Sequence, residues 1–397
     1  MIDLSKYSYL KYPLFGSLYF SEGLGFSLQI VIIPIYLVDV GYSLSMATFI
    51  AGLTSIPWLI KFVWGGIADY FILFGRKRLI IIGVFISIIC FIIVSFIDPA
   101  VALIPFVSLL IIARIGTAFF DVSADAWAIE ISQFNERGKI NAAIIAGTFG
   151  GMATGSTLFG SIANKFGYRY VFLSAALIVF LIILFPIFVK DKRIVKKRQR
   201  IRHILVGEFK KKTTLLVSIF APIFAINSGI LMFIAPLYMK IALNLDIAQI
   251  GLIAAIFPMT KVLGAFLGGV MSDIWGRRIT LFIFMIITAL FSVLMIFSNT
   301  WQILAIVYGI IGFLHGGAFS AFTAMLMDVT NPKVGATQYS ILTSLSNFGE
   351  MTSGGLSGTL AAMLGFSRVF LYSAWSIGPA LVILYFINLK KIKEMTL

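Results

Sequence analysis

Long apolar stretches, separated by short polar connections, make up almost the whole chain. A helix of about 20 apolar residues crosses a bilayer core of about 30 Å, and the chain contains twelve such stretches. The pattern therefore predicts twelve transmembrane helices. They lie near residues 14–38, 45–68, 79–97, 101–131, 140–163, 170–189, 214–239, 248–271, 279–297, 301–328, 338–363 and 369–389.

The composition is that of an integral membrane protein. Of the 397 residues, 60% are hydrophobic and 12% are charged, and the mean hydropathy is +1.03. Soluble domains contain about 45–50% apolar and about 25% charged residues, so a soluble protein of this composition could not cover its own surface. The sequence contains no phosphate-binding loop, catalytic triad, paired-cysteine motif or dinucleotide fingerprint. We therefore expect no enzymatic activity and no cofactor.

Basic residues are unevenly distributed between the connections. If the N-terminus is inside, 24 of the 31 Lys and Arg residues lie in inner segments, 4 lie in outer segments and 3 lie inside helices. Positive charge is enriched in cytoplasmic loops, so this ratio predicts a multi-pass protein of the cell membrane with both termini in the cytoplasm. Because topology accounts for most of the net charge of +15, we expect no nucleic-acid partner. We expect a monomer in the lipid bilayer.

The densest run of positive charge divides the chain in half. Residues 190–212 contain eleven basic and two acidic residues, and they separate six predicted helices from six others. The sequence thus predicts a six-helix bundle at residues 1–189, a basic cytoplasmic linker at 190–212 and a second six-helix bundle at 213–397. A linker of this charge is expected to lie near anionic lipid headgroups.

The two halves share a motif. "GGIADYFILFGRKR" ends the second helix and "GGVMSDIWGRR" ends the eighth, 204 residues later. In each copy a glycine precedes an aspartate by four residues, and basic residues follow a further glycine. A glycine permits the close approach of two helices, and the carboxylate can pair with a nearby arginine or a helix N-terminus. We predict a cytoplasmic gate formed by Gly65, Asp69, Arg76, Lys77, Gly269, Asp273, Arg277 and Arg278.

With this repeat, the sequence resembles the major facilitator superfamily of secondary transporters over essentially its whole length. In that family a Gly-x-x-x-Asp-x-x-Gly-Arg-Arg/Lys loop recurs after helices 2 and 8. The resemblance implies an all-α membrane fold of twelve transmembrane helices in two pseudo-symmetric six-helix bundles. It also implies a central cavity and alternating access.

A narrower resemblance rests on four segments. They are "GLTSIPWLIKFVWGGIAD" at 52–69, the longer loop before "GRKR", "FFDVSADAWAIE" at 119–130 and "GATQYSILTSLSNFGE" at 335–350. These segments look like those of the muropeptide-permease and acetyl-CoA-transporter branch of the superfamily. The resemblance implies a peptide-like, sugar-peptide or CoA-linked solute.

The fourth predicted helix carries three charged residues in its apolar run. At 100° per residue, Arg114, Asp121 and Asp125 fall within about 40° of one another around the helix axis. Each charge would cost about 3 kcal/mol if it faced lipid at the bilayer centre. We therefore predict that the stripe faces a bundle interior or a water-filled cavity. The two carboxylates are one turn apart and repel each other unless a cation lies between them.

The charged and polar residues inside the predicted helices are the candidate site. We assign solute binding to Lys61, Arg114, Lys261, Trp58 and Asn347. We assign proton coupling to Glu22, Asp121, Asp125, His315 and Glu350. The alternative is that these groups form structural ion pairs and that His315 is hydrogen-bonded to a neighbouring helix. No second histidine lies at ligand spacing, so no metal site is expected.

Helix 5 contains glycines at every fourth position. Gly147, Gly151 and Gly155 predict a face that packs closely against another helix, and this face could act as a sliding surface between the bundles.

Together these features favour a secondary active transporter. It would move a small, partly anionic solute by alternating access, coupled to protons, with solute, protons and lipid bilayer as its partners. An exporter of unrelated compounds and a lipid-moving protein of the same fold are the alternatives.

Overall fold

The computed structural model describes residues 4, 8–71, 74–132, 136–190, 202–331 and 334–387. Residues 191–201 of the predicted linker and the loop residues 72–73 lie outside this part of the chain. The first half contains α1 (Lys11–Asp39), α2 (Leu44–Leu53, Ile56–Leu59 and Lys61–Tyr70), α3 (Arg76–Val94), α4 (Leu103–Ile131), α5 (Arg137–Phe166) and α6 (Tyr168–Ile187). The second half contains α7 (Lys212–Ile241), α8 (Ile247–Trp275), α9 (Arg277–Phe297), α10 (Trp301–Asp328), α11 (Gly335–Leu364) and α12 (Phe366–Phe386).

These helices coincide with the twelve that the hydropathy pattern predicts. Among the described residues, ten helices are long and apolar enough to cross a membrane. The other two are α2, which is interrupted, and α11, which is rich in Gly, Ser and Thr. A short linker helix, Arg202–Phe209, precedes α7. Because the number of crossings is even, α1 begins and α12 ends at the same end of the bundle, called the terminal end below, and the other end is the distal end.

Helix α2 departs from the prediction of one continuous helix over residues 45–68. It consists of three helical segments, and the middle one, Ile56–Leu59, has a proline at its start. Pro57 has no N–H group, and its ring clashes with the carbonyl group four residues earlier. The helix is therefore interrupted just before this segment, and a second irregularity follows at Ile60. The interruptions position Trp58 and Lys61.

Side chains bind the backbone groups that the interrupted helix leaves free. In a bilayer core, an unpaired backbone group is costly unless protein groups satisfy it. Gln29 lies in a π-helical turn of α1, Leu28–Ile32, and its Nε2 donates to the carbonyl oxygen of Ala51 at 2.9 Å. Trp64 Nε1 donates to the carbonyl oxygen of Pro57 at 2.8 Å. Side chains of α1 and of α2 itself thus hold α2 in its irregular shape.

Ion pairs at the terminal end repeat between the halves. Arg76 at the start of α3 contacts Glu130 at the end of α4, with Nη2 and Oε1 3.2 Å apart. In the second half, Arg277 at the start of α9 contacts Asp328 at the end of α10, with Nε and Oδ2 3.3 Å apart. Equivalent helices are therefore joined by equivalent charges in the two halves.

The basic residue that follows each arginine also has the same role in both halves. Lys77 Nζ donates to the carbonyl oxygen of Ile187 at 2.6 Å, at the end of α6. Arg278 Nη2 donates to the carbonyl oxygen of Tyr385 at 2.6 Å, near the end of α12. The carbonyl groups of the last helical turn have no partner within the helix, so these cations satisfy them.

The starts of α1 and α7 are both held to the connection between the fourth and fifth helices of their own half. Lys11 Nζ contacts Glu136 Oε2 at 2.6 Å. In the second half, Asn331 Nδ2 donates to Glu208 of the linker helix at 2.7 Å, and Lys211 pairs with the same carboxylate. Burial of Glu208 disfavours its charge, but the hydrogen bonds from Lys211 and Asn331 outweigh this effect and lower its pKa.

The two halves contact each other closely at the distal end. A Cβ atom added at Gly251 of α8 would overlap the carbonyl oxygen of Ser156 of α5. A Cβ atom added at Gly52 of α2 would lie 2.8 Å from the Cα atom of Gly355 of α11. Two pairs of helices therefore close this end of the boundary between the halves.

An ion pair reinforces the closed distal end. Lys240 Nζ at the end of α7 lies 2.7 Å from Asp39 Oδ1 at the end of α1. Tyr168 of α6 donates to the other carboxylate oxygen of Asp39 at 2.5 Å, and its ring stacks on Tyr36 with centroids 4.0 Å apart. Asp39 is thus held from both halves.

Replacing Asp39 with asparagine is expected to increase opening of the distal end. The side chains of Asp39 and Lys240 are 30% and 28% exposed, and such pairs contribute about 1 kcal/mol or less. The open population should therefore rise by up to about fivefold. The measurement is the rate at which a membrane-impermeant thiol reagent modifies a cysteine introduced at the buried Thr48 of α2. Asp98→Asn, in the exposed α3–α4 connection, is the control, and equal rates in the two variants would contradict the expectation.

The glycine stripe of α5 packs closely, as predicted, but not between the halves. Cβ atoms added at Gly147 and Gly151 would overlap the carbonyl oxygens of Gly16 and Phe20 of α1. The interpretation of this stripe as a sliding surface is therefore wrong, because α1 belongs to the same half. The contact with the other half is made by Phe149, Ser156 and Gly160, which lie on a different side of the helix from the stripe.

Candidate functional site

A cluster of charged side chains lies between α1, α2 and α4. Lys61 Nζ contacts the carboxylate of Asp121 and lies 3.6 Å from Asp125 Oδ2. Tyr19 of α1 donates a hydrogen bond to Asp125. The side chain of Asp121 is 2% exposed, whereas that of Asp125 is 48% exposed. One cation therefore links a sealed carboxylate to one that water can reach.

Arg114 lies on the same stripe of α4, two helical turns before Asp121. It is 4% exposed, and its guanidinium carbon lies 4.6 Å from the ring centroid of Phe26 and 5.3 Å from that of Trp58. Within the described residues, none of its three nitrogen atoms has a hydrogen-bond partner. Its charge interacts at longer range with Glu22 and Asp121. The guanidinium is thus flanked by aromatic rings and can donate hydrogen bonds to an oxygen ligand.

The prediction that this stripe faces inward is confirmed. Arg114, Asp121 and Asp125 all contact groups of α1 or α2, which belong to the same bundle. Tyr339 of α11 interacts electrostatically with Asp125 and Lys61. The cluster therefore lies at the boundary between the halves rather than deep in one of them.

Glu22 of α1 completes this first cluster. It is 4% exposed, and its Oε2 atom has no hydrogen-bond partner in the described part of the chain. It interacts electrostatically with Asp121, Lys61 and Arg114. When all groups are ionised, the cluster has three negative and two positive charges.

A second cluster surrounds Lys261 of α8. Lys261 is 5% exposed, and its Nζ lies 4.7 Å from the ring centroid of Phe319 of α10 and 4.8 Å from that of Phe149 of α5. It interacts electrostatically with Glu350 of α11, which is half-buried. Because Phe149 belongs to the first half, this cluster also lies at the boundary between the halves.

His315 of α10 adjoins Lys261. It is 5% exposed, and among the described residues neither ring nitrogen has a hydrogen-bond partner. Its ring stacks on Phe224 at 5.9 Å and on Phe319 at 6.3 Å. The alternative of a hydrogen bond to a neighbouring helix is therefore not realised in this conformation. Asn347 is half-buried on α11, one turn before Glu350.

The predicted gate residues behave unequally. Arg277 Nη1 lies 2.5 Å from Asp273 Oδ1, so the second copy of the motif forms the pair that its spacing suggests. In the first copy, the side chain of Asp69 lies outside the described part of the structure. Arg76 donates to the carbonyl oxygen of Ala68 at 3.3 Å and pairs with Glu130, as described above.

The close helix approach predicted at Gly65 is absent in this conformation. A Cβ atom added there would meet no atom within 4 Å, and one added at Gly269 would meet only Ser320 Oγ at 3.2 Å. In this conformation the close contacts between the halves lie at the distal end. The gate glycines lie at the terminal end, where the halves do not make contacts of this kind.

The sequence does not single out three aromatic residues of the first cluster, Tyr19, Phe26 and Tyr339. Tyr19 and Phe26 lie three residues before and four residues after Glu22, so helical periodicity places all three on one face of α1. That spacing was a usable signal. Tyr339 had no such signal, because its approach to Asp125 depends on how the two halves dock.

Comparisons with known proteins now assign the fold to a family. The sequence profile of the Major Facilitator Superfamily matches residues 15–226 and 217–394. The chain belongs to this superfamily. It is a multi-pass membrane transporter with twelve helices in two pseudo-symmetric six-helix bundles, and not an enzyme.

The relatives of this transporter include permeases of the expected branch. It is 24% identical over 348 residues to the anhydromuropeptide permease of Escherichia coli (strain K12), with 82% of this chain and 70% of the permease covered. It is 25% identical over 391 residues to putative transporter AmpG 4 of Rickettsia conorii (strain ATCC VR-613 / Malish 7), with 90% of this chain and 92% of that protein covered. The resemblance to muropeptide permeases is therefore confirmed.

A solved structure supports the fold. The crystal structure of a D-xylose-proton symporter superposes with a TM-score of 0.73 and 16% sequence identity, and covers 96% of this chain and 98% of the symporter. At this identity the similarity establishes the fold alone.

Proposed function

We propose that this transporter moves a small, partly anionic solute together with protons by alternating access. The observation that carries the proposal is the first cluster, in which a half-buried Lys61 links Asp121 to the water-accessible Asp125. A carboxylate that reaches water and contacts a half-buried cation can exchange a proton and thereby change the ionic contacts between helices.

The charges of the first cluster favour a stoichiometry of one proton. Glu22, Asp121 and Asp125 outnumber Lys61 and Arg114 by one negative charge. An uncompensated buried charge costs several kcal/mol. The empty cluster is therefore most easily closed off from water with one bound proton, and the cluster that holds a solute carboxylate with two. The difference, one proton, moves with each solute. Because Asp125 is the most exposed of the three carboxylates, we assign the coupling proton to it.

The solute is proposed to carry a carboxylate that binds Arg114. A guanidinium group forms strong paired hydrogen bonds with carboxylates, and the nitrogens of Arg114 have no partner among the described residues. Lys61 is a weaker candidate, since it is already paired with aspartates. The name of the Escherichia coli relative, anhydromuropeptide permease, favours a sugar-peptide solute, which contains such a carboxylate.

The direction of opening follows from the proposed topology. With both termini in the cytoplasm of a cell-membrane protein, the closed distal end faces outward and the terminal end faces the cytoplasm. In this proposal the bundles at 1–189 and 213–397 move against each other as a monomer, the basic linker 190–212 joins them, and the gate motifs close the terminal end in the other state.

Reconstitution in liposomes tests the proposal. Liposomes containing the purified protein are given an alkaline interior, and the uptake of radiolabelled N-acetylmuramoyl-dipeptide is measured together with the internal pH. We expect the accumulation to collapse when a protonophore is added. We also expect protons to enter the liposomes only when the solute is present. Uptake that is indifferent to the protonophore would contradict proton coupling. Transfer of a fluorescent lipid in place of solute uptake would favour the lipid-moving alternative.

A further inference from the structure

The second cluster contains several polar atoms that nothing in the described structure satisfies. Among the described residues, neither ring nitrogen of the buried His315 has a hydrogen-bond partner. In the described part of the chain, Lys261 Nζ contacts only aromatic rings at short range, those of Phe149 and Phe319. Buried polar groups in proteins are almost always hydrogen-bonded, so donors and acceptors left in this state indicate a place where a ligand binds.

The charge of the second cluster differs from that of the first. Lys261 and Glu350 balance each other, and they interact electrostatically without forming a close ion pair in the described structure. A carboxylate on the solute would be attracted by Lys261 but repelled by Glu350. A neutral group with both a donor and an acceptor avoids this repulsion. Its oxygen can accept from the ammonium of Lys261, and its N–H or O–H can donate to Glu350.

The neutral form of His315 has the same dual character, since one ring nitrogen donates and the other accepts. The surrounding walls are aromatic: Phe224, Phe257 and Phe319 lie within 6.3 Å of the imidazole, centroid to centroid. Flat apolar faces beside a few convergent polar groups are typical of small-molecule sites. Sugar rings and amide planes present flat faces with polar edges, and they suit such walls.

A phenyl ring of the first half covers this cluster. Phe149 of α5 packs on Lys261 of α8 at 4.8 Å. A solute that binds Lys261 must therefore lie at the boundary between the halves, as must one that binds Arg114 beside Trp58. Both clusters border the same boundary, and α11 carries residues that reach each of them, Tyr339 and Glu350.

We propose that Lys261, His315 and Glu350 form a second solute subsite, which takes an uncharged amide or hydroxyl-bearing group. This inference rests on the proposed function and extends it: the solute has a carboxylate for Arg114 at one end and an amide or hydroxyl group for the second half at the other. One solute then contacts both halves, so its binding is linked to their relative movement.

Lys261→Met and His315→Phe test the subsite. Both changes remove hydrogen bonding while keeping side chains that suit aromatic walls, and His315→Phe changes no fixed charge. Uptake of N-acetylmuramoyl-dipeptide into liposomes is measured, with two competitors. N-Acetylglucosamine offers an amide and hydroxyl groups without a carboxylate, and propionate offers a carboxylate alone. The control is Lys165→Met, at an exposed position near the distal end, and the unfolding temperature of each variant is recorded.

Each variant is expected to raise the KM for the dipeptide about tenfold, the loss typical of a hydrogen bond to a charged or buried group. Competition by N-acetylglucosamine should be lost, while competition by propionate should stay as in the control. A KM within twofold of the control in both variants would overturn the second subsite, as would equal weakening of both competitors. If the unaltered protein neither takes up the dipeptide nor responds to either competitor, the proposed function itself fails.

Discussion

Asp125→Asn is expected to abolish proton-driven accumulation of the solute. One pH unit is worth about 1.4 kcal/mol per proton, so a transporter coupled to one proton can accumulate solute about tenfold against such a gradient. Asparagine cannot release a proton, and it keeps the shape needed to accept the hydrogen bond from Tyr19. Accumulation should therefore fall from about tenfold to about one, measured in liposomes with a gradient of one pH unit.

Exchange of solute in the absence of a pH gradient separates coupling from a general loss of function. An Asp125→Asn protein that still exchanges labelled for unlabelled solute has kept its binding site and its conformational cycle. The matched control is Asp98→Asn, which removes an exposed carboxylate from the α3–α4 connection. If transport by Asp125→Asn stays as dependent on external pH as transport by the control, the coupling proton does not bind at Asp125.

The helices and the inward stripe of α4 could be predicted from sequence because both depend on local geometry. Twelve apolar stretches of sufficient length give twelve helices, and a rotation of 100° per residue brings Arg114, Asp121 and Asp125 onto one face. The requirement that charges avoid lipid then fixes the direction of that face. None of these steps needs knowledge of which helix packs against which.

The choice of ion pairs could not be predicted in the same way. Lys61 pairs with both aspartates, and Arg114, on the same helix as those aspartates, contacts rings instead. This outcome depends on the irregular course of α2 around Pro57 and on the support from Gln29, which lies on another helix. The partners of the gate arginines, Glu130 and Asp328, likewise come from helices that only the tertiary packing brings together.

The glycines of α5 illustrate the same limit. Their spacing predicts close packing, and close packing is observed. The spacing contains no information about the partner, which is α1 of the same half, and the contact with the other half is made by Phe149, Ser156 and Gly160 instead. A local pattern thus determines the type of contact, and the docking of helices determines where that contact is made.

Lys61→Met is expected to destabilise the protein by about 3 to 5 kcal/mol, the range measured when one partner of a buried ion pair is removed. The change leaves Asp121 buried at 2% exposure without its cation. It also leaves Asp121 and Asp125 one turn apart with no positive charge between them. The free energy of unfolding, measured by denaturant titration in detergent micelles, is the quantity to compare. Lys165→Met, which removes an exposed lysine, should leave it within about 0.5 kcal/mol.

The double variant Lys61→Met/Asp121→Asn distinguishes an electrostatic cause from a packing defect. Removing both partners eliminates the uncompensated charge, and replacing a buried ion pair by neutral groups is often nearly neutral in stability. The double variant should therefore recover most of the lost free energy, whereas a packing defect at residue 61 would persist. Proton-driven accumulation should not recover with stability, because Asp125 would no longer have a cation to release when it binds its proton. A double variant that regains both properties would show that the Lys61–Asp121 pair has no part in coupling.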